Sequence, residues 1–101
     1  MKIPKSVKVG RKRYTVAKSE KLAVRGECTF GHVNHFQQHI QVATHHPRTG
    51  RELRQAEQSD TFWHELTHAI LYDMGHHLYR NEEFVTRFSS RLNKAILSAE
   101  L

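Results

Sequence analysis

His64, Glu65 and His68 stand in the order His-Glu-x-x-His, with Leu66 and Thr67 between them. In a helix, residues four apart lie about 40° apart around the axis and ~6 Å apart along it, so two imidazoles at this spacing can meet one ion. The carboxylate of Glu65 falls on the same flank, toward the open side of such an ion. Two neutral nitrogen ligands, with a carboxylate placed to take a proton from an activated water, are the outline of a zinc-dependent hydrolase site.

The motif is short and the chain holds nine histidines among 101 residues. Random placement of these residue types gives roughly 0.06 expected matches, so the flanking residues have to support the reading. With His64 at zero and ~100° per residue, Trp63, Leu66 and Ile70 fall between about 200° and 260°, and Leu53, Ala56 and Leu71 extend the apolar stripe to about 340°. Glu65, His68, Tyr72 and Thr61 gather between about 0° and 100°. The pattern predicts one face against a core and the other lining a site, on a helix from near Arg51 to about Met74, with Gly75 as its stop.

A catalytic zinc takes three protein ligands and keeps one position open. A third histidine from the extended HExxHxxGxxH pattern is excluded, because Leu71 and Met74 stand where Gly and His are needed. The alternative is a carboxylate from the following helix. Asn81 is suited to cap that helix, with Glu82 and Glu83 in its acidic first turn. Its apolar residues, Phe84, Val85, Phe88, Leu92, Ala95, Ile96 and Ala99, centre near 260° from Glu82. Glu82 then lies ~100° from the core centre and Glu83 ~160°, which favours Glu82 as the ligand and points Glu83 to solvent.

These residues resemble the gluzincin type of metallopeptidase, especially its very small single-domain members from bacterial and phage genomes. The likeness rests on His64-Glu65-Leu66-Thr67-His68, the Asn81-Glu82 pair and the apolar helix after it, and spans residues 36 to 97. It implies zinc held by His64, His68 and Glu82, and peptide-bond hydrolysis with Glu65 as general base and proton shuttle. It also implies that the strand ending at Val42 borders the cleft and pairs with an extended peptide or protein substrate. The larger gluzincins' NExxSD pattern is half kept, with Val85 and Thr86 at its last two positions. A donor for the reaction's oxyanion is sought in Tyr79, His76, His77 or Tyr72.

The elements that must position this site are few. Ser6–Val9 and Tyr14–Ala17 alternate as two strands around a Gly10-Arg11-Lys12 turn and predict a hairpin. Val33 to Thr44 reads as one strand after a turn at Gly31, with Phe36, Ile40 and Val42 on one face and His35, Gln37, His39 and Gln41 on the other. The expected fold is α+β: a single zincin-like domain over residues 1–101, with a short antiparallel sheet packed on the motif helix and a glutamate-bearing carboxy-terminal helix. His35 and His39 lie ~13 Å apart on an extended strand, too far for a second metal. Cys28 rules out an intramolecular disulfide and is expected to be a small buried residue.

Composition narrows the setting. Residues 1–25 carry nine Lys or Arg and one acid, a net +8, and the remainder is a net −2. A basic arm of this kind can bind nucleic acid, but as the solvated face of a hairpin it needs no such partner. There is no apolar run for a membrane span or a signal peptide, so a cytoplasmic monomer is the expectation.

Overall fold

The computed structural model describes residues 2–100. Alternation at the amino terminus does produce a hairpin: β1 (Ser6–Val9) and β2 (Lys12–Ser19) pair antiparallel, with Val7 opposite Tyr14 and Val9 opposite Lys12. Gly10 makes the turn at φ +60°, and a Cβ there would collide with the Asp73 carboxylate. All nine basic residues of the first 25 are exposed, so this charge is a solvated surface around an inward-facing Val9 and Tyr14.

A second hairpin, β3 (Leu22–Val24) with β4 (Glu27–Thr29), was not foreseen. Its turn uses Arg25 and Gly26 at φ 53° and 82°. Cys28 lies on β4 and is exposed, contrary to its expected burial; it pairs with the exposed Ala23, whereas the buried Leu22 of this hairpin pairs with Thr29.

The segment read as one strand is two. β5 (Gly31–Asn34) and β6 (His39–Ala43) pair antiparallel around a turn in which the Gln37 N–H donates to Asn34 Oδ1 at 2.9 Å and Gln38 takes φ 55°. Phe36 sits at the turn tip, 96% exposed, while Ile40 and Val42 are fully buried. The sheet order is β1-β2-β6-β5. β6 runs parallel to β2, with Val16 beside Ile40, so the sheet is mixed rather than antiparallel. Alternation reports which face a residue takes and carries no information on the direction of the neighbouring strand.

Two helices complete the α+β fold. α1 (Gln55–Asp73) carries the motif and α2 (Glu82–Ser98) follows a short 3-10 turn at His77–Arg80. α1 starts four residues later than the spacing suggested, where the Glu57 carboxylate accepts from the Arg54 N–H at 3.0 Å and pairs with the Arg51 and Arg54 side chains. It ends as expected, with Gly75 at φ +65°.

The core joins Ile3, Val9, Tyr14, Ile40 and Val42 of the sheet side to Phe62, Leu66 and Ala69 of α1. α2 lies against α1, where Ser59 Oγ donates to Asn93 Oδ1 at 2.8 Å and Asn93 Nδ2 donates to the Ala56 carbonyl at 3.2 Å. Packed by both neighbours, α1 buries side chains around much of its circumference, from Ser59 and Phe62 to Thr67 and Leu71. A one-sided stripe cannot describe such a helix: Phe62 and Ala69, outside the expected stripe, are central to the core, and Ile70, inside it, is exposed. No helix among the described residues is long and apolar enough to cross a membrane.

Candidate metal centre

His64 and His68 sit one turn apart on α1, their ring centroids 4.9 Å apart. The third partner comes from the first residue of α2, whose start is fixed locally. The Asn81 N–H donates to the Leu78 carbonyl at 2.9 Å, closing the 3-10 turn, and Asn81 Oδ1 accepts from the Phe84 N–H at 2.9 Å, capping the helix. Glu82 is thereby held over the motif. Its Oε1 lies 2.7 Å from His68 Nε2 and its Oε2 3.1 Å from His64 Nε2. The ligand atoms of the three residues all fall within 4.8 Å of one another, a group that can hold a metal ion.

The hydrogen bonding around His68 fits a cation at this point. Its Nδ1 lies 2.7 Å from the Tyr79 carbonyl. A carbonyl only accepts, so Nδ1 carries the hydrogen, and Nε2 of the neutral ring is a bare lone pair. That lone pair faces a carboxylate oxygen at 2.7 Å, an arrangement of two acceptors that either a proton on Nε2 or a bound cation would satisfy. Donor atoms about 2.0–2.1 Å from a tetrahedral zinc stand about 3.3 Å from each other; the 3.1 Å separation at His64 is near this value and the 2.7 Å separation at His68 is shorter. The Tyr79 carbonyl also does what an orienting partner does for a ligating histidine, fixing the tautomer and the ring plane. No side-chain identity could have announced this main-chain contact.

Glu65 is 8% exposed and lines a cleft of about 1220 Å³ together with His64, His68, Glu82, Tyr72 and Tyr79. Burial, and then the nearby Glu82, push its carboxyl up to about 8. Burial likewise pulls His64 below its ordinary value, against an upward pull from Glu82, which favours the neutral imidazole that a metal requires. The edge strand closes over Glu65 at Gly31. A Cβ on Gly31 would stand 2.5 Å from Thr61 Cγ2 and 3.1 Å from Glu65 Oε2, so only glycine lets β5 approach the carboxylate this closely.

His64, Glu65, His68 and Glu82, the four residues singled out from sequence, therefore meet at one cleft. Thr61 and Tyr72 line it too, as the motif helix's polar face suggested. Glu83 points away and stands 3.8 Å from Arg87. The phase argument for Glu82 needs correction. The residues of α2 that are buried are Val85, Ser89 and Asn93, a line centred about 20° from Glu82, whereas Phe84, Phe88 and Ile96 are exposed. Glu82 thus shares the helical phase of the packed line but stands at its exposed end.

Among the proposed oxyanion donors, Tyr72 and Tyr79 line the cleft, while His76 and His77 do not. His76 and His77 stack on one another 4.5 Å apart, and His76 Nδ1 accepts from the Leu78 N–H. His35 also lines the cleft and was missed, because reading one strand from Val33 to Thr44 set it beside His39. His39 instead lies 2.6 Å from Thr15 Oγ1 on the far side of the sheet. No second group of metal ligands occurs among the described residues. The strand that ends at Val42 does not border the cleft, since β6 is paired on both sides; β5 is the free edge there. No protein-family model, curated protein or solved structure matches the chain.

Proposed function

We propose that the chain is a zinc metallopeptidase of the gluzincin type. The observation that carries this reading is the convergence of His64 Nε2, His68 Nε2 and the Glu82 carboxylate within 4.8 Å, beside a buried Glu65 in the same open cleft. A site that only stabilised the fold would be closed by a fourth ligand and would have no use for a carboxylate at position 65.

Zinc, when bound, supplies a Lewis acid that makes a water molecule nucleophilic near neutral pH. His64 and His68, rigid on one helix, and Glu82, set by the Asn81 cap, hold the ion. Glu65 takes the proton of the attacking water and returns it to the nitrogen of the departing amine, so a single carboxyl serves both transfers. Its burial keeps its proton affinity high enough for the second transfer, while the ion's positive charge counteracts that rise and favours the carboxylate for the first. The unpaired edge of β5 offers main-chain donors and acceptors to an extended peptide lying across the cleft.

Zinc binding and turnover separate in the test. Glu65→Gln should hold one zinc with unchanged affinity and lose peptide hydrolysis by about a thousandfold or more, measured on a peptide library with zinc-loaded protein. A Glu65→Gln variant that cleaves like wild type contradicts the assignment.

A further inference from the structure

Several polar rings of the cleft have no task in the hydrolytic scheme, His35 among them. His35, in the turn after β5, stacks on Tyr72 with centroids 4.1 Å apart and planes 3° from parallel. Tyr79 stands edge-on to it at 6.4 Å and edge-on to Tyr72 at 5.5 Å. Three rings, from the β5–β6 turn, from α1 and from the 3-10 turn, so form one wall of the cleft that holds Glu65 and His68. Such a stack fixes the imidazole plane without consuming either nitrogen.

Neither His35 nitrogen has a hydrogen-bond partner among the described residues, and Nδ1 is buried. An orphaned buried N–H is rarer than an under-satisfied acceptor. The proton of the neutral ring is therefore best placed on Nε2, the nitrogen that is not shut away from solvent. Burial, followed by His68, His32 and Lys12, lowers the ring's proton affinity and keeps it uncharged. The result is a stacked N–H donor on the wall of the cleft that Glu65 also lines, of the kind that stabilises a developing oxyanion with little reorganisation.

We propose that His35 Nε2–H is the oxyanion donor of this site, an assignment that rests on the hydrolase reading above. As the water oxygen bonds to the scissile carbon, its proton goes to Glu65 and the carbonyl π pair moves onto the carbonyl oxygen, which His35 meets. As the C–N bond breaks, that pair re-forms the carbonyl and the Glu65 proton passes to the leaving nitrogen. Tyr72 and Tyr79 hold the ring in place.

The test uses the zinc-loaded full chain and N-phosphoryl-leucinamide, a small tetrahedral mimic of the attacked peptide, in a calorimetric titration. His35→Phe keeps the stack and removes the donor. It should bind zinc within about twofold of wild type and the mimic about tenfold or more weaker. Equal affinity of the two proteins for the mimic, with zinc bound in both, overturns the assignment of His35 alone; a wild type that takes up no zinc overturns the hydrolase reading and this assignment with it. The tautomer gives a readout on the unaltered chain: long-range proton–nitrogen NMR at pH 7 should find the His35 hydrogen on Nε2, and a hydrogen on Nδ1, or on both nitrogens, overturns the proposal.

Discussion

The hydrogen that His68 gives to the Tyr79 carbonyl leaves its other nitrogen, and the Glu82 carboxylate, facing a common point. Replacing Glu82 by Gln removes the charge while keeping the shape, and should weaken zinc binding by about tenfold to a hundredfold, whereas Glu83→Gln, at an exposed residue whose carboxylate stands near Arg87, should stay within about twofold; competition with a chromogenic chelator measures both. Glu65 gives a prediction in the metal-free chain. A carboxyl raised from 4.5 to about 8 stabilises the fold fully below its unfolded value, and that contribution is lost as pH rises through about 8. Glu65→Gln should therefore match wild type near pH 5 and exceed it at pH 9 by on the order of 2–4 kcal/mol, read from urea unfolding in the presence of a chelator. Equal stability at pH 9 contradicts the buried placement of this carboxyl.

At the scale of elements, the motif helix was legible because His64, Glu65 and His68 are fixed relative to one another by helix geometry alone. Its core face was not, since α1 packs on both the sheet and α2, and the contact with α2 runs through Ser59 and Asn93, polar residues that no hydrophobic pattern selects. The same buried pair explains why Glu82 was found by an argument with the wrong axis: the packed line of α2 is Val85, Ser89 and Asn93, and its apolar stripe at Phe84 and Phe88 is exposed. Val85→Ala should cost about 2 kcal/mol and Phe88→Ser less than about 0.5 kcal/mol in denaturant unfolding; the reverse order would restore the apolar stripe as the packed face. Gly31→Ala tests how β5 meets α1. The added methyl would force Thr61 or the edge strand to give way, so turnover should fall by about tenfold or more while zinc affinity, set by α1 and α2, holds.

For the whole molecule, length and composition sufficed for one small α+β domain, but the order of its strands is a long-range property. β6 enters the sheet between β2 and β5 and runs parallel to β2, and no local pattern in residues 12–19 or 39–43 specifies that pairing. A metal at the candidate site would add a further tie between α1 and α2, which already pack on one another through Ser59 and Asn93. Free zinc at a thousand times its dissociation constant should add about 4 kcal/mol to the folded state, raising the melting temperature of a chain this size by about 15 °C or more. The central claim is met most directly by elemental analysis of untagged protein, wild type beside His64→Ala/His68→Ala. About one equivalent of zinc in the wild type, absent from the double variant, is the predicted result; a wild type without zinc even after reconstitution, or a double variant that retains it, would contradict the site.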